Sequence, residues 1–339
     1  MSLEKSYRNL LYRKVLYILL LLIILFINIL ISVNMGSSEM TIQESLLTLL
    51  GKGTDITKHI VFNIRLPRIL GGLFIGMNLA MSGMIIQSVL NNPLASPSTL
   101  GISNASVLGA NIALIVFSGM GIEVGMATTG ILSFVFAMIC TLIVLWFSSL
   151  KRANRSTVLL LGVALNAMFS AMTILIQFFS TDEQIASAVS WTFGDLGRIN
   201  YSQILIVGMV FILSSVIIYQ FRWKYNAMDM GESVAHSLGI NIRFMRNLSI
   251  LLASLNTGIG VAYVGIIGFV GLLAPQLTRI IIGDDKRFMF PATVLLGAVI
   301  VLFSDTLARV IVKPSILPVG AITSLIGAPF FLYMLIKER

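Results

Sequence analysis

Long apolar intervals free of Asp, Glu, Lys and Arg alternate along this chain with short polar stretches. An ionised side chain at the middle of a bilayer costs about 2.5 to 3.5 kcal/mol on insertion scales. Crossing a hydrocarbon core about 30 Å thick takes about 20 helical residues. Charge-free intervals of that length therefore predict transmembrane helices over residues 15–33, 69–90, 98–117, 124–148, 158–180, 201–220 and 318–336, and a further one is expected over 289–307, with Asp305 near its end. The break from Asn91 to Pro97 divides the second from the third. The first span resembles a signal peptide, but it is too long and lacks a small-residue cleavage site.

Between Asn247 and Ile282 the glycines Gly258, Gly260, Gly265, Gly268 and Gly271 blur any helix boundary. Arg222, Lys224, Arg243 and Arg246 precede this stretch, and Lys286 and Arg287 follow it, so the positive-inside bias puts both flanks in the cytoplasm. An even number of crossings must lie between them. Two short spans, about 248–264 and 266–282, meet that condition, as does one span plus a broken helix re-entering through a protein-lined cavity. The expected architecture is all-α, a single transmembrane domain over 1–339 with about ten helices and both termini cytoplasmic. It places 16 of the 23 Lys and Arg residues inside and seven outside. Trp146 and Trp223 fall at inner interfaces and Trp191 in an outer loop.

Composition agrees: 57% of the 339 residues are hydrophobic and 11% are charged, against about a quarter charged in soluble domains. A water-soluble chain is excluded. The net charge of +9 reads as an orientation record rather than a nucleic-acid signal, because the basic residues are dispersed among apolar segments. Cys140 is the only cysteine, which rules out an intrachain disulfide and a cysteine-cluster metal site. His59 and His236 lie on opposite sides of the membrane in this layout and cannot share a metal. No catalytic constellation is present. Ion-coupled transporters usually keep ionisable groups at mid-membrane, and these spans hold almost none. Gly51-Lys52-Gly53-Thr54 lacks the upstream glycine and the Lys-Ser/Thr pair of a phosphate loop, so any ATP hydrolysis belongs to a partner.

Within the longest inner loop, 221–246, Asp229 and Glu232 have capping-box spacing, and Met230, Val234 and Leu238 recur at helical intervals before Gly239. A short amphipathic helix over about 229–239 is expected, either seating on a partner or resting on lipid headgroups. On the outer face Arg65 and Arg68 defy the positive-inside bias, and Arg68 falls at the expected start of span two, where the helix dipole disfavours a cation. Arg309 lies one turn after Asp305 and has a ready pairing partner. Gly72, Gly76 and Ala80 at four-residue intervals predict close helix packing. Asn78, Ser82, Asn104, Asn111, Asn166 and Gln177 are polar groups inside spans; they line a polar pathway or bond neighbouring helices.

The run RLPRILGGLFIGMNLAMSGMIIQSVLNNPLASPSTLGIS from Arg65 strongly resembles the permease subunits of bacterial importers for iron chelates, haem and cobalamin, a FecCD-like family. GFVGLLAPQLTRIIIGDDKRFMFP from Gly268 and LPVGAITSLIGAPFFLYMLIK from Leu317 resemble its closing segments, so the likeness covers nearly the whole chain. The resemblance implies a type II ABC importer in the bacterial cytoplasmic membrane. Two permease subunits, as homo- or heterodimer, enclose the pathway, and two cytoplasmic ATPases carry ATP and Mg, with no cofactor on this chain. It also implies an external substrate-binding protein docking on Arg65, Arg68 and Arg309, and a coupling helix at ESVAHSLG, including Glu232, Val234, His236, Ser237, Leu238 and Gly239. Cytoplasmic gates map to Asn92 and Leu94 and to Ser156 and Thr157, although Arg155 stands where the family pattern has a small polar residue. A ferric siderophore is the expected cargo, with haem or cobalamin as alternatives. A secondary transporter working without ATPases is the reading from another class.

Overall fold

The computed structural model describes residues 3–36, 40–150, 154–312 and 315–337. Lys151, Arg152, Lys313 and Arg339, which enter the topology tally, lie outside them. The fold is all-α, with an isolated parallel bridge between Phe193 and Ile266. In chain order the helices are α1 (Leu3–Asn34), α2 (Ile42–Leu49), α3 (Asp55–Lys58), α4 (Leu66–Leu90), α5 (Ile102–Asn111), α6 (Met126–Ser148), α7 (Arg155–Phe178) and α8 (Asp182–Thr192). They continue with α9 (Tyr201–Gln220), α10 (Arg222–Asp229), α11 (Glu232–Ser237), α12 (Ile242–Val264), α13 (Val270–Ile282), α14 (Lys286–Val310) and α15 (Val319–Lys337).

Among the described residues, seven helices, rather than the ten expected, are long and apolar enough to cross a membrane. The other three expected spans fall on shorter apolar stretches, Ile102–Phe117, Val270–Ile282 and Val319–Tyr333. The backbone explains the first two. Positions 91–101 form turns and a 3-10 segment before α5 starts, and positions 265–269 run irregularly before α13. At 1.5 Å per residue a helix as short as α13 rises only about 20 Å, so irregular chain must complete its leg. The stretch 265–269 is buried or half-buried in protein, where its polar groups find partners. Ile266 N–H donates to Thr192 O at 3.2 Å, Asp195 N–H to Val264 O at 2.8 Å and Val319 N–H to Gly194 O at 2.8 Å. Of the two readings of 247–282, the structure has one full helix followed by a short return helix.

Span two starts earlier than expected. Helix runs without interruption from Asp55 to Leu90, through a π-helical stretch His59–Arg65. The π register leaves Leu66 N–H bonded to Val61 O just before Pro67, so the proline's missing donor falls where the ladder changes from i−5 to i−4. Pro67 thus sits inside a helix rather than opening one. Arg68 is not at a helix N-terminus, and the dipole penalty expected for it falls away. Two further outer stretches read as loops are helices, α2 and α8. The latter has a capping box between Thr181 and Gln184 that the sequence carries in plain form. Trp191 on α8 is buried rather than interfacial, whereas Trp146 and Trp223 are exposed.

Helix α4 is the spine, with 78% of its apolar window buried. Small residues let its neighbours close in: a Cβ on Gly76 would stand 2.4 Å from Gly297 O of α14, and one on Gly83 1.7 Å from Gly271 O of α13. By contrast α1 and α7 have 22% and 17% of their windows buried and present Leu16, Leu20, Ile23, Leu160, Val163 and Leu175 outward. These are peripheral faces suited to lipid or a second subunit.

Candidate functional site

At one end of the bundle, α1, α14 and α4 with the π-helical stretch before it bring the three singled-out arginines together, but inward. Arg65, Arg68 and Arg309 are buried, at 3%, 6% and 5% exposure. Arg65 Nη1 donates to Val33 O at 2.6 Å and Asn34 O at 3.3 Å, the last carbonyls of α1. Arg309 Nη1 donates to Met35 O at 2.6 Å and Ser32 O at 3.2 Å, and its Nη2 to Ser32 Oγ at 2.6 Å. Cations on the carbonyl end of a helix complement its dipole. Asp305, fully buried, lies between the other two: Arg68 Nε at 2.7 Å and Arg309 Nε at 3.0 Å. Arg68 also meets Asp195 at 3.4 Å, and Arg198 meets Asp195 at 3.8 Å. No spacing signal links Arg68 with Asp305, which lies 237 positions away.

At the inner end the expected helix over 229–239 is interrupted. Asp229 ends α10, Gly231 takes φ +115°, and α11 covers Glu232–Ser237 before Gly239 turns the chain at φ +74°. Gly231 offers α11 no side-chain cap. The predicted capping box is absent because both carboxylates are engaged elsewhere. Asp229 pairs with Lys286 of α14 at 2.6 Å. Glu232 pairs with Arg155 of α7 and Arg246 of α12, each at 2.9 Å. The apolar row faces out: Met230, Val234 and Leu238 are 73%, 39% and 65% exposed, while Ala235 on the opposite side is buried. His236, Ser237 and Gly239 are exposed beside them.

Beneath α10, Tyr225 is buried and shares a 2.8 Å hydrogen bond with Ser249. Burial pushes its phenol up to about 12, with the Ser249 bond opposing, so it stays neutral. Asp285 caps α14 through Arg287 N–H at 3.1 Å. Burial raises its carboxyl, but hydrogen bonds from Arg287 and Asn226 outweigh that, and its pKa is lowered overall. Asn226 also accepts from Lys286 N–H at 2.9 Å, tying α10 to α14.

The residues mapped as gates sit in two turns. Asn92 Oδ1 accepts from Leu94 N–H at 2.8 Å, and Leu94 is 46% exposed. Asn154 caps α7 by accepting from Thr157 N–H at 2.8 Å and Thr157 Oγ1 at 2.7 Å, leaving Ser156 exposed. Above them lies a cavity of about 400 Å³ whose polar walls include Ser98, Thr99, Asn104, Asn166 and Thr257, and whose floor includes the irregular stretch 266–269. Asn104 Nδ2 donates to Ser170 Oγ at 3.0 Å, and Asn166 Nδ2 to Ser98 O at 3.1 Å. The other polar candidates lie elsewhere. Asn78 is fully buried and donates to Phe74 O and across to Val207 O of α9, and Ser82 is fully buried too. Gln177 donates to Asn111 Oδ1 at 2.9 Å. Among the described residues, no group of three or more His, Cys, Asp or Glu is placed to hold a metal.

Comparison with known proteins fits these features. The model of the FecCD transport family matches residues 21–337. An ABC transporter permease protein of Methanocaldococcus jannaschii is 41% identical, with 99% of each chain covered. The hemin transport system permease HmuU of Yersinia pestis is 34% identical over 92% of this chain and 94% of its own. The solved structure of an inward-facing metal-chelate type ABC transporter superposes with a TM-score of 0.82 at 29% identity, covering 96% of this chain and 99% of that one. The chain belongs to the FecCD transport family and is a metal-chelate type ABC importer permease, a multi-pass protein of the cell membrane that is not itself an enzyme.

Proposed function

We propose that this chain is one of two permease subunits enclosing a pathway through which an iron chelate, foremost a ferric siderophore, enters the cytoplasm. ATP hydrolysis on two separate cytoplasmic ATPase subunits, which carry ATP and Mg, drives the movement. The observation that carries this reading is the exposed apolar row Met230, Val234 and Leu238 on the inner-loop segment around α11. Exposed apolar side chains on and beside a short helix fit a groove on a partner, with Val234 on α11 and Met230 and Leu238 flanking it. Glu232, His236, Ser237 and Gly239 belong to the same coupling element. In this reading the three short apolar helices complete ten crossings, and both termini are cytoplasmic.

An external substrate-binding protein docks at the outer end over Arg65, Arg68 and Arg309. Arg68 and Arg309 meet at Asp305, and Arg65 and Arg309 both hold the last carbonyls of α1, a cluster of guanidiniums whose field suits an acidic surface. Because the arginines are buried, they act through that field and through the end of α1 that they pin. Asn92, Leu94, Ser156 and Thr157 gate the cytoplasmic mouth. Asn166, with Asn104, faces the pathway; Gln177 extends the same helix outward, and Asn78 and Ser82 support it from α4.

A haem cargo is the second reading, favoured by the 34% identity to the hemin permease. Cobalamin is a further alternative. Cargo choice is tested by reconstituting the complete complex in proteoliposomes and offering labelled ferric siderophore, haemin and cobalamin, each with the binding protein. Accumulation of the siderophore above the other two supports the first reading. Selective accumulation of haemin or cobalamin replaces it.

A further inference from the structure

Helix α11 hangs between two glycines in left-handed conformations, Gly231 at φ +115° and Gly239 at φ +74°, and a Cβ at either would meet nothing within 4 Å. Such residues absorb backbone rotation at little steric cost. The helix therefore has hinges at both ends and is held by what its own side chains reach. Ala235 is buried beneath it. At its N-terminal end the anchor is Glu232, whose Oε1 lies 2.9 Å from both Arg155 Nε and Arg246 Nη2.

The two ion pairs flanking the Gly231 hinge differ in kind. On the α10 side, Asp229 meets Lys286 at 2.6 Å with the lysine side chain 2% exposed. The enclosed ammonium also donates to Asp284 O at 3.2 Å, so Lys286 is held from two sides and the anchor is fixed. On the α11 side, Glu232 is 40% exposed and Arg155 18%. Arg155 Nε itself is out of contact with solvent, so parting it from Glu232 would leave a buried guanidinium nitrogen unpaired, and the two move together.

Arg155 gives the pair its reach. It is the first residue of α7, a helix with no acidic residue in its first turn. A cation at that end opposes the helix dipole, and the carboxylate of Glu232 supplies the missing counter-charge. Ser156 and Thr157 follow directly. Further along the same helix, a Cβ on Gly162 would stand 2.4 Å from Thr99 O, and Asn166 donates to Thr99 O at 3.2 Å. Thr99 and Asn166 both line the 400 Å³ cavity. Helix α7 thus packs without slack against the cavity wall, and a tilt at its first turn moves that wall.

We propose that Arg155 and Glu232 form the mechanical link between the ATPase-facing helix and the cavity: α11 pivots on its glycines about the fixed Asp229–Lys286 anchor, and the Glu232–Arg155 pair drags the start of α7 with it. Arg246 of α12 shares the same carboxylate. Arg155 is a positioning residue in this scheme. The inference rests on the reading of α11 as the ATPase-coupling element.

The test uses the complete complex with its ATPases in proteoliposomes, measuring ATP hydrolysis and cargo uptake side by side. Arg155→Gln is expected to leave assembly and hydrolysis at unsubstituted levels while uptake per ATP falls about tenfold, within the range over which single residues alter coupling. Arg155→Lys keeps a cation within reach of the Glu232 carboxylate and is expected to recover most of the uptake per ATP lost in Arg155→Gln. Unchanged uptake per ATP in Arg155→Gln overturns the link. So does loss of the ATPases from the Arg155→Gln complex, which would make the pair a purely structural clamp. Failure of the underlying reading shows elsewhere, as uptake without ATP hydrolysis in the unsubstituted protein.

Discussion

Asp305 illustrates how a single residue governs the outer end. It is wholly buried and serves Arg68 and Arg309 at once, so Asp305→Asn leaves two buried cations without their carboxylate. The expected cost is about 3 to 5 kcal/mol, read as a fall in the thermal midpoint of the detergent-solubilised protein. Asp195→Asn, with a side chain 40% exposed, is expected to cost no more than about 1 kcal/mol in the same assay. Asp285 carries a pH signature. Its folded pKa is lowered, so its contribution to capping α14 is present above its unfolded value and is lost as pH falls through the folded one. Stability measured below about pH 4 should fall in the native protein by more than in Asp285→Asn, and equal falls would contradict this. The sequence marked the arginines as anomalous, and the Asp305–Arg309 pairing was legible from its spacing. Arg68 with Asp305 was not, because that contact exists only once α4 lies against α14.

Among the elements, α4 depends on contacts too close for side chains. Gly83→Ala would force a Cβ against Gly271 O, and a destabilisation of about 3 kcal/mol or more is expected by thermal unfolding. Gly125→Ala, in open space at the start of α6, is expected to stay within about 0.5 kcal/mol of the native protein. The repeat of Gly72, Gly76 and Ala80 announced such packing in the sequence. The partner glycines at 271 and 297 did not, since a glycine in isolation signals a boundary as readily as a contact. Around α11, the apolar row and the stop at Gly239 were legible, but the break at Gly231 was hidden behind two carboxylates at capping-box spacing. Because Leu238 is 65% exposed, Leu238→Asp should leave the thermal midpoint of the isolated permease nearly unchanged while the ATPase no longer copurifies. Intact copurification would refute the docking role of this element.

For the molecule as a whole, charge-free intervals located the apolar segments, and the membrane class followed from composition. Hydropathy could not show which segments run as full helices, because an interval such as 98–117 looks the same whether helix fills it or turns open it. The legs at α5 and α13 are short because the chain leaves regular helix beside them, and α5, α13 and α15 all contribute residues to the wall of the polar cavity. The central claim is that this bundle moves cargo only when a separate ATPase turns over. It is tested most directly by comparing cargo uptake into proteoliposomes holding the permease with its intact ATPase, with a hydrolysis-defective ATPase, or with none. The account predicts accumulation in the first case alone, and uptake at equal rates in all three would contradict it.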